Sequence, residues 1–372
     1  MNLKKYIFIM LLSLVSRIIY ILISYLSFIS FTSYDKSTDL ISQSKLRFLL
    51  RWDAINFYEI AKHGYTSEHL LAFFPLYPYI ISIIPIDPLI SGILISNLCF
   101  IGSTLILYIL SERRYNDYVC YTSILLFMVN PSSIIFSTLY TESLFTFLFL
   151  IILLIIEEKK MFISDANTYR IKNMHCKLIL SLLVGLLSII RSNGILFFLI
   201  LYFYLPKYYI IFSSLPFVMF QIFGYMKIQK FNVHIPYSYI QKRYWDQGFL
   251  KFYFDMKNIP NFFIALPFLS FGIYLIICYI YTLKNKECKK ERLRDVNNRI
   301  LMLIFTIQTI MSIFFIHSQI YFRFISFNPL IYWSIALMIE QKGIRNMSYV
   351  ITFYFSYSLA YAILFGAYYP PA

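Results

Sequence analysis

Residues 1–31 read MNLKKYIFIMLLSLVSRIIYILISYLSFISF. Two lysines precede an apolar run that outlasts the roughly 7–15 residues of a secretory signal's core, and no small-residue cleavage site follows it. A bilayer crossing needs about 20 apolar residues, so this stretch reads as an uncleaved first span. The rest of the chain agrees. Hydrophobic residues make up 59% and charged residues 14%, whereas a soluble domain carries about 25% charged residues to keep its surface solvated. The 372 residues therefore predict an all-α polytopic membrane protein, one transmembrane domain over 1–372 with roughly ten spans.

Candidate spans lie near 6–31, 89–110, 118–137, 140–156, 177–203, 206–226, 261–283, 300–317, 325–341 and 347–368. Residues 73–86 carry Pro75, Pro78 and Pro85. That piece is short for a crossing and reads as re-entrant or interfacial. The net charge is +15, but the basic residues sit in short runs between apolar segments, where they set orientation instead of binding nucleic acid. Lys4 and Lys5, Arg113 and Arg114, the 159–177 loop and the basic run 284–299 share one side by the positive-inside rule. This puts the N-terminus in the cytoplasm and the 32–88 loop on the lumenal side. Parity fails around 177–226: two full spans there would carry the basic run to the wrong side, so one of the two is expected to be broken or re-entrant. The five cysteines, Cys99, Cys120, Cys176, Cys278 and Cys288, form no CxxC pair and predict neither a zinc site nor a disulfide framework.

Outside the spans, one loop is unusually dense in polar and aromatic residues. Residues 51–78 read RWDAINFYEIAKHGYTSEHLLAFFPLYP. Arg51, Asp53, Glu59, His63, Glu68 and His69 alternate there with Trp52, Phe57, Tyr58, Tyr65 and Phe73, a pattern that suits an amphipathic helix at the interface. On a helix Asp53, Asn56 and Ile60 share one face, and Glu59 and His63 another. Either a solvated surface helix or a site would look like this. A metal set of Glu59, His63, Glu68 and His69 lacks any HExxH-like spacing, so no metal is expected. Three more polar elements lie within apolar surroundings: Glu142 in NPSSIIFSTLYTESLF (130–145), Arg191 and Asn193 in RSNGIL (191–196), and Arg323 in YFRFISFNPLIYW (321–333). A charge at membrane depth costs a few kcal/mol on insertion scales and lines a polar cavity or pairs to fix helix packing.

Taken together, five ordered segments resemble the family of the second glycosylphosphatidylinositol (GPI) mannosyltransferase, PIG-V. They are the 51–78 loop, NPSSIIFSTLYTESLF, RSNGIL, YSYIQKRYWDQGFLKFYFDMKNIPNFFIALP (237–267) and YFRFISFNPLIYW. The resemblance implies a GT-C-type transmembrane helix bundle with lumenal amphipathic helices in the first large loop, seated in the endoplasmic reticulum membrane. It implies dolichyl-phosphate mannose as donor substrate with no cofactor. The acceptor would be a GPI-precursor glycolipid, mannosyl-glucosaminyl-phosphatidylinositol, which gains an α-1,6-linked second mannose. The chain departs from the family in its short length and in Leu70, where a polar residue is expected. These departures bear on the acceptor and on an accessory membrane subunit.

A β-linked donor and an α-linked product imply a single inverting displacement, which needs one carboxylate base and no second carboxylate nucleophile. Asp53, just after the first span where the resemblance to GT-C-type enzymes places a catalytic acid, is the expected base, with Glu59 and Glu68 as competitors. Arg51, Arg191, Arg243 and Arg323 are candidates for the phosphate, with Arg191 and Arg323 favoured by their position at membrane depth. Trp52, Tyr65, Tyr244 and Trp245 are expected to stack on sugar faces, with His63, Glu142, Asn193 and Gln241 completing the substrate contacts. A lipid or solute transporter would share the many spans and embedded charges, but would more often show inverted halves or matched broken helices, and no internal repeat is visible. A transferase using the same donor with another acceptor is the nearest alternative.

Overall fold

The structure is a computed structural model and describes residues 3–158, 162–165, 168–171, 173–228, 235–284 and 292–369. Residues 285–291 of the basic run 284–299, Cys288 among them, together with Lys159, Lys160 and Lys172, lie outside the described residues. The fold is helical, with one short antiparallel ribbon pairing Phe162–Asp165 with Thr168–Ile171. Six helices among the described residues are long and apolar enough to cross a bilayer: Leu3–Ser30, Pro88–Glu112, Tyr208–Lys227, Met256–Tyr281, Asn297–Phe314 and Ser348–Gly366. A seventh crossing is available from Ser318–Ile325 and Pro329–Lys342, which meet at an 85° bend. Four further apolar helices are shorter: Asp117–Met128, Glu142–Ile156, Met174–Ser188 and the run Ser192–Tyr204. The chain is thus a multi-pass membrane protein.

The chain forms two compact units. The first comprises residues 1–64, 77–150 and 322–372. Its helices are joined as expected where lipid offers no hydrophobic drive for association, by small residues and interhelical hydrogen bonds. Ser24 Oγ donates to the Ala362 carbonyl at 2.9 Å and Ser27 Oγ to that of Ile363 at 2.5 Å. Tyr20 shares a hydrogen bond with Ser358 at 2.6 Å. The approach is close enough that a Cβ on Gly366 would lie 2.2 Å from the Ser24 carbonyl oxygen, so only glycine fits there. On the other side Ser13 meets Thr104 at 3.1 Å.

Arg17 lies in the middle of the first helix and is 1% exposed. Its guanidinium donates to the carbonyls of Met128 and Ser133 and to Ser133 Oγ, each at 2.6 Å, and its Cζ stacks 3.7 Å from the Phe100 ring. The Asp117–Met128 helix stops beneath it because Asn130-Pro131 follows. Asn130 Oδ1 accepts from the Ser132 backbone N–H at 2.9 Å, an Asx turn. Irregular backbone at membrane depth must find internal partners, and Arg17 supplies them. The charge reading of the sequence passed over this residue.

The second unit comprises residues 65–76 and 151–321. Here Met174–Ser188 packs on Tyr208–Lys227 through Ser181 and Ser213, whose hydroxyls meet at 2.6 Å. The parity problem in the sequence has its counterpart in this unit. The apolar segment 177–203 is not one helix: it stops at Ser188, passes through an extended Arg191, and resumes as a 3-10 turn Ser192–Phe197 and a helix Phe198–Tyr204. A Cβ on Gly194 would lie 2.2 Å from the Leu187 carbonyl, so the glycine of RSNG permits the chain to fold back on the turn it has just left.

Candidate active site

In the first unit the site begins at a corner. The helix Asp53–His63 starts immediately after Trp52, which adopts φ +52° and ψ −122°. A bulky L-residue in that region clashes with its own backbone, at a cost of order 1–3 kcal/mol, and persists only where its surroundings hold it. Asp53 therefore stands in the first helical turn, where the helix dipole favours negative charge. Its Oδ2 accepts from Arg323 Nη2 at 2.7 Å. The same guanidinium donates through Nε to Glu142 Oε1 at 2.5 Å and lies 5.0 Å from the centre of the Tyr140 ring.

The three side chains differ in exposure: 31% for Asp53, 10% for Arg323 and 2% for Glu142. A buried carboxylate is tolerable only when paired and hydrogen-bonded. Arg323 is Glu142's ion-pair partner, and Thr141 Oγ1 donates to Glu142 Oε2 at 3.4 Å. With both acids ionised the trio carries one net negative charge, and the carboxylate that reaches solvent is Asp53.

Arg51 is directed elsewhere. It is 1% exposed, donates to Thr38 Oγ1 at 2.6 Å and to the Gly366 carbonyl at 3.4 Å, and packs against the rings of Tyr368 and Phe28 at 4.6 and 5.6 Å. Trp52 keeps a buried Nε1–H for which no acceptor stands among the described residues. Glu59 sits half-buried in the second turn of the same helix, and His63 is exposed at its end.

In the second unit the expected residues gather around the helix Pro236–Trp245. Arg243 Nη1 donates to Glu68 Oε2 at 2.9 Å and to Tyr239 Oη at 2.8 Å, and Tyr244 Oη donates to the same Glu68 oxygen at 3.0 Å. The hydrogen bond with Tyr239 and the charge of Glu68 raise the Arg243 guanidinium further above its ordinary value. Partial desolvation and the adjoining Glu68 raise the Tyr244 phenol. Leu71, Ile228 and Ile240 form the apolar floor, with Tyr65 and Trp245 packed against it. Tyr65 donates to the Phe73 carbonyl at 2.7 Å, and Trp245 meets the Phe73 ring at 5.8 Å.

His317 bonds the Trp245 carbonyl at 2.9 Å. Tyr237 Oη donates to Ser192 Oγ at 2.8 Å, which sets the RSNG turn beside this helix. Asn193 is 7% exposed, and its Oδ1 has no hydrogen-bond partner among the described residues. Arg191 is half-buried at the head of the turn. The Gln241 carbonyl accepts from the Gln247 N–H at 3.1 Å and closes the helix end. A cavity of about 450 Å³ opens among Tyr65, Thr66, Ser67, Glu68 and Lys227. Among the described residues no three His, Cys, Asp or Glu side chains converge as a metal set.

The sequence profile described as Mannosyltransferase (PIG-V) matches residues 4–372. The chain belongs to this mannosyltransferase family. It is similar to GPI mannosyltransferase 2 of Candida albicans, 28% identical over 360 residues that cover 90% of this chain and 88% of that protein. The protein of the same name from Drosophila melanogaster is 25% identical over 402 residues, covering 89% of each chain. GPI alpha-1,6-mannosyltransferase 2 of Homo sapiens is 24% identical over 378 residues, covering 82% of this chain and 76% of that one. No solved structure matches the chain.

As a PIG-V mannosyltransferase, the protein is a membrane glycosyltransferase whose quoted segments divide between the two units. RWD, YTES and YFRF meet in the first through Asp53, Glu142 and Arg323. SEHLLAFF, RSNG and YSYIQKRYW meet in the second through Glu68, Ser192, Tyr237 and Arg243. Sequence reasoning missed Arg17, Tyr140, Tyr239, Lys227 and Tyr368. Only Arg17 carried a signal, a lone charge inside an apolar run; the tyrosines are a few among 34.

Proposed function

We propose that this enzyme transfers mannose from dolichyl-phosphate mannose to a mannosyl-glucosaminyl-phosphatidylinositol, forming the α-1,6-linked second mannose of a GPI precursor. The family membership and the printed names of its relatives support the acceptor class. The observation that carries the chemistry is the Asp53–Arg323–Glu142 trio, in which a partly exposed carboxylate is fixed by a guanidinium that a second, buried carboxylate already balances.

Asp53 is the base. It takes the proton from the acceptor hydroxyl as that oxygen bonds to mannose C1, and the C1–O bond to dolichyl phosphate breaks on the opposite face. The leaving group, dolichyl phosphate, is a phosphate monoester that departs as its weakly basic dianion, so no strong general acid is required. Arg323 orients Asp53, and Glu142 orients Arg323. Within the second unit, the exposed Arg243 and Lys227 beside the cavity suit an anionic lipid head group, whereas Arg51 of the first unit is enclosed. Tyr65 and Tyr244 provide the ring surfaces there.

Family membership supports a place in the endoplasmic reticulum membrane, and the loop charges support an N-terminus in the cytosol with the 32–88 loop in the lumen, where an accessory membrane subunit would have access to it. The test is complementation of cells lacking the second GPI mannosyltransferase. Expression restores the doubly mannosylated lipid; accumulation of the singly mannosylated lipid despite expression refutes the reading. An N-glycosylation tag placed in residues 32–46 is expected to be modified, and an unmodified tag in an active protein refutes the orientation.

A further inference from the structure

The residues beyond the Ser348–Gly366 helix bear directly on the strained corner. Trp52 and Tyr368 are two of the four non-glycine residues with positive φ among the described residues, at +52° and +64°, and they touch: their ring centres lie 5.1 Å apart at 86°, an edge-to-face pair. Tyr368 is 4% exposed. The Arg51 guanidinium lies over the same ring, 4.6 Å from its centre, and the Tyr368 hydroxyl lies 3.4 Å from Ser37 Oγ. The preceding residues are tied to the same corner, since the Gly366 carbonyl accepts from Arg51 Nη2 and the Ala367 carbonyl from the Tyr34 N–H at 3.0 Å. Tyr140 secures the corner from a third direction by donating to the Arg51 carbonyl at 3.1 Å. Two unfavourable backbones packed against each other, immediately before the carboxylate that Arg323 holds, form a device for aiming Asp53.

We infer that Tyr368 is a positioning residue for the transfer reaction: its ring holds Arg51 and Trp52 in the left-handed corner and thereby fixes the first turn that carries Asp53. This rests on Asp53 being the base. Without the ring, Trp52 relaxes toward ordinary negative φ, the helix start rotates, and Asp53 leaves its position against Arg323. A displacement of about 1 Å can cost on the order of 100-fold in rate without touching binding.

The test is mannosyl transfer by the full chain in nanodiscs, with dolichyl-phosphate mannose and a synthetic mannosyl-glucosaminyl-phosphatidylinositol, alongside thermal stability. Tyr368→Gly removes the ring at a φ that glycine adopts freely, so the fold tolerates it. The expected result is a kcat lower by roughly 10- to 100-fold with both KM values within about twofold of the parent. Tyr368→Phe, which keeps the ring and drops only the hydroxyl, restores kcat to within about threefold. In a Trp52→Gly background, where the corner is no longer strained, Tyr368→Gly has a smaller effect than alone. Parent-like kcat in Tyr368→Gly overturns the inference, as does a fall in kcat matched by raised KM values and lost thermal stability. Should that variant be absent from membranes, Tyr368→Asn carries the same measurement, since asparagine tolerates left-handed backbone; absence of both assigns the residue to folding and overturns the inference equally. An inactive parent would instead refute the proposed function.

Discussion

Two regions of the molecule use the same chemical parts and make different things of them. In the first unit a carboxylate, an arginine and a tyrosine meet at Asp53, Arg323 and Tyr140; in the second, Glu68, Arg243 and Tyr244 do the same. The difference is burial. The burial is that of the arginine and its second partner: Arg323 is 10% exposed and is held by Glu142 at 2% as well as by Asp53 at 31%, whereas Arg243 is 43% exposed over a Glu68 at 23%. In a dry setting every charge must keep its partner, so geometry is fixed and single changes are severe. In a wet one water replaces a lost partner, and the side chains remain adaptable to an arriving ligand. The first arrangement suits a group whose aim matters, the second a surface that collects a charged lipid head.

The largest expected effect is that of Arg323→Met. It strands a buried Glu142 and an adjoining Asp53, and breaking such a pair costs about 3–5 kcal/mol. Transfer is lost and the detergent-solubilised protein melts at a clearly lower temperature. Adding Glu142→Leu to Arg323→Met should recover stability but not activity; recovery of both would show that the trio is only structural. Asp53→Asn comes next. The amide keeps one acceptor for Arg323, so stability stays close to parental, while transfer falls by about 10²–10⁴-fold with loss of the base. Full activity of this variant in a microsomal assay would remove Asp53 from its role.

Glu142→Gln is expected to be intermediate. It keeps a hydrogen bond to Arg323 but leaves Asp53 as that guanidinium's one charged partner in the trio, which weakens Asp53 as a base, and kcat should fall by about 10-fold, read in single-turnover experiments at saturating donor. The smallest effect belongs to Arg243→Ala. The fold is unchanged and the KM for donor rises by less than about 10-fold, an increase that shrinks as ionic strength approaches 1 M, where the Debye length is about 3 Å. A salt-insensitive loss would mean that this region is not the open electrostatic surface its exposure suggests.

Much of the outline was legible in the residues. The apolar runs pointed to a polytopic helical protein and the density of polar groups at 51–78 to a loop unlike the rest, because those are properties of short segments. The basic loops pointed to a broken or re-entrant segment within 177–226, and the helix there is interrupted at Ile189–Arg191. The site was legible only as a roster. Nothing local distinguished the buried Arg51 from the exposed Arg243, and Trp52 carries no turn signature that would announce a positive φ.

The sequence by itself determined that the chain lives in a bilayer and which segments keep polar side chains, since partition between water and lipid acts on each segment alone. The tertiary structure decided which charges face one another. Asp53 and Arg323 are 270 positions apart, Arg51 and Gly366 are 315 apart, and Tyr368 reaches Trp52 across nearly the whole chain. Such pairings arise from helices packing at distances that no local pattern encodes, and burial, which converts a pair of opposite charges into a fixed geometry, exists only once that packing is complete.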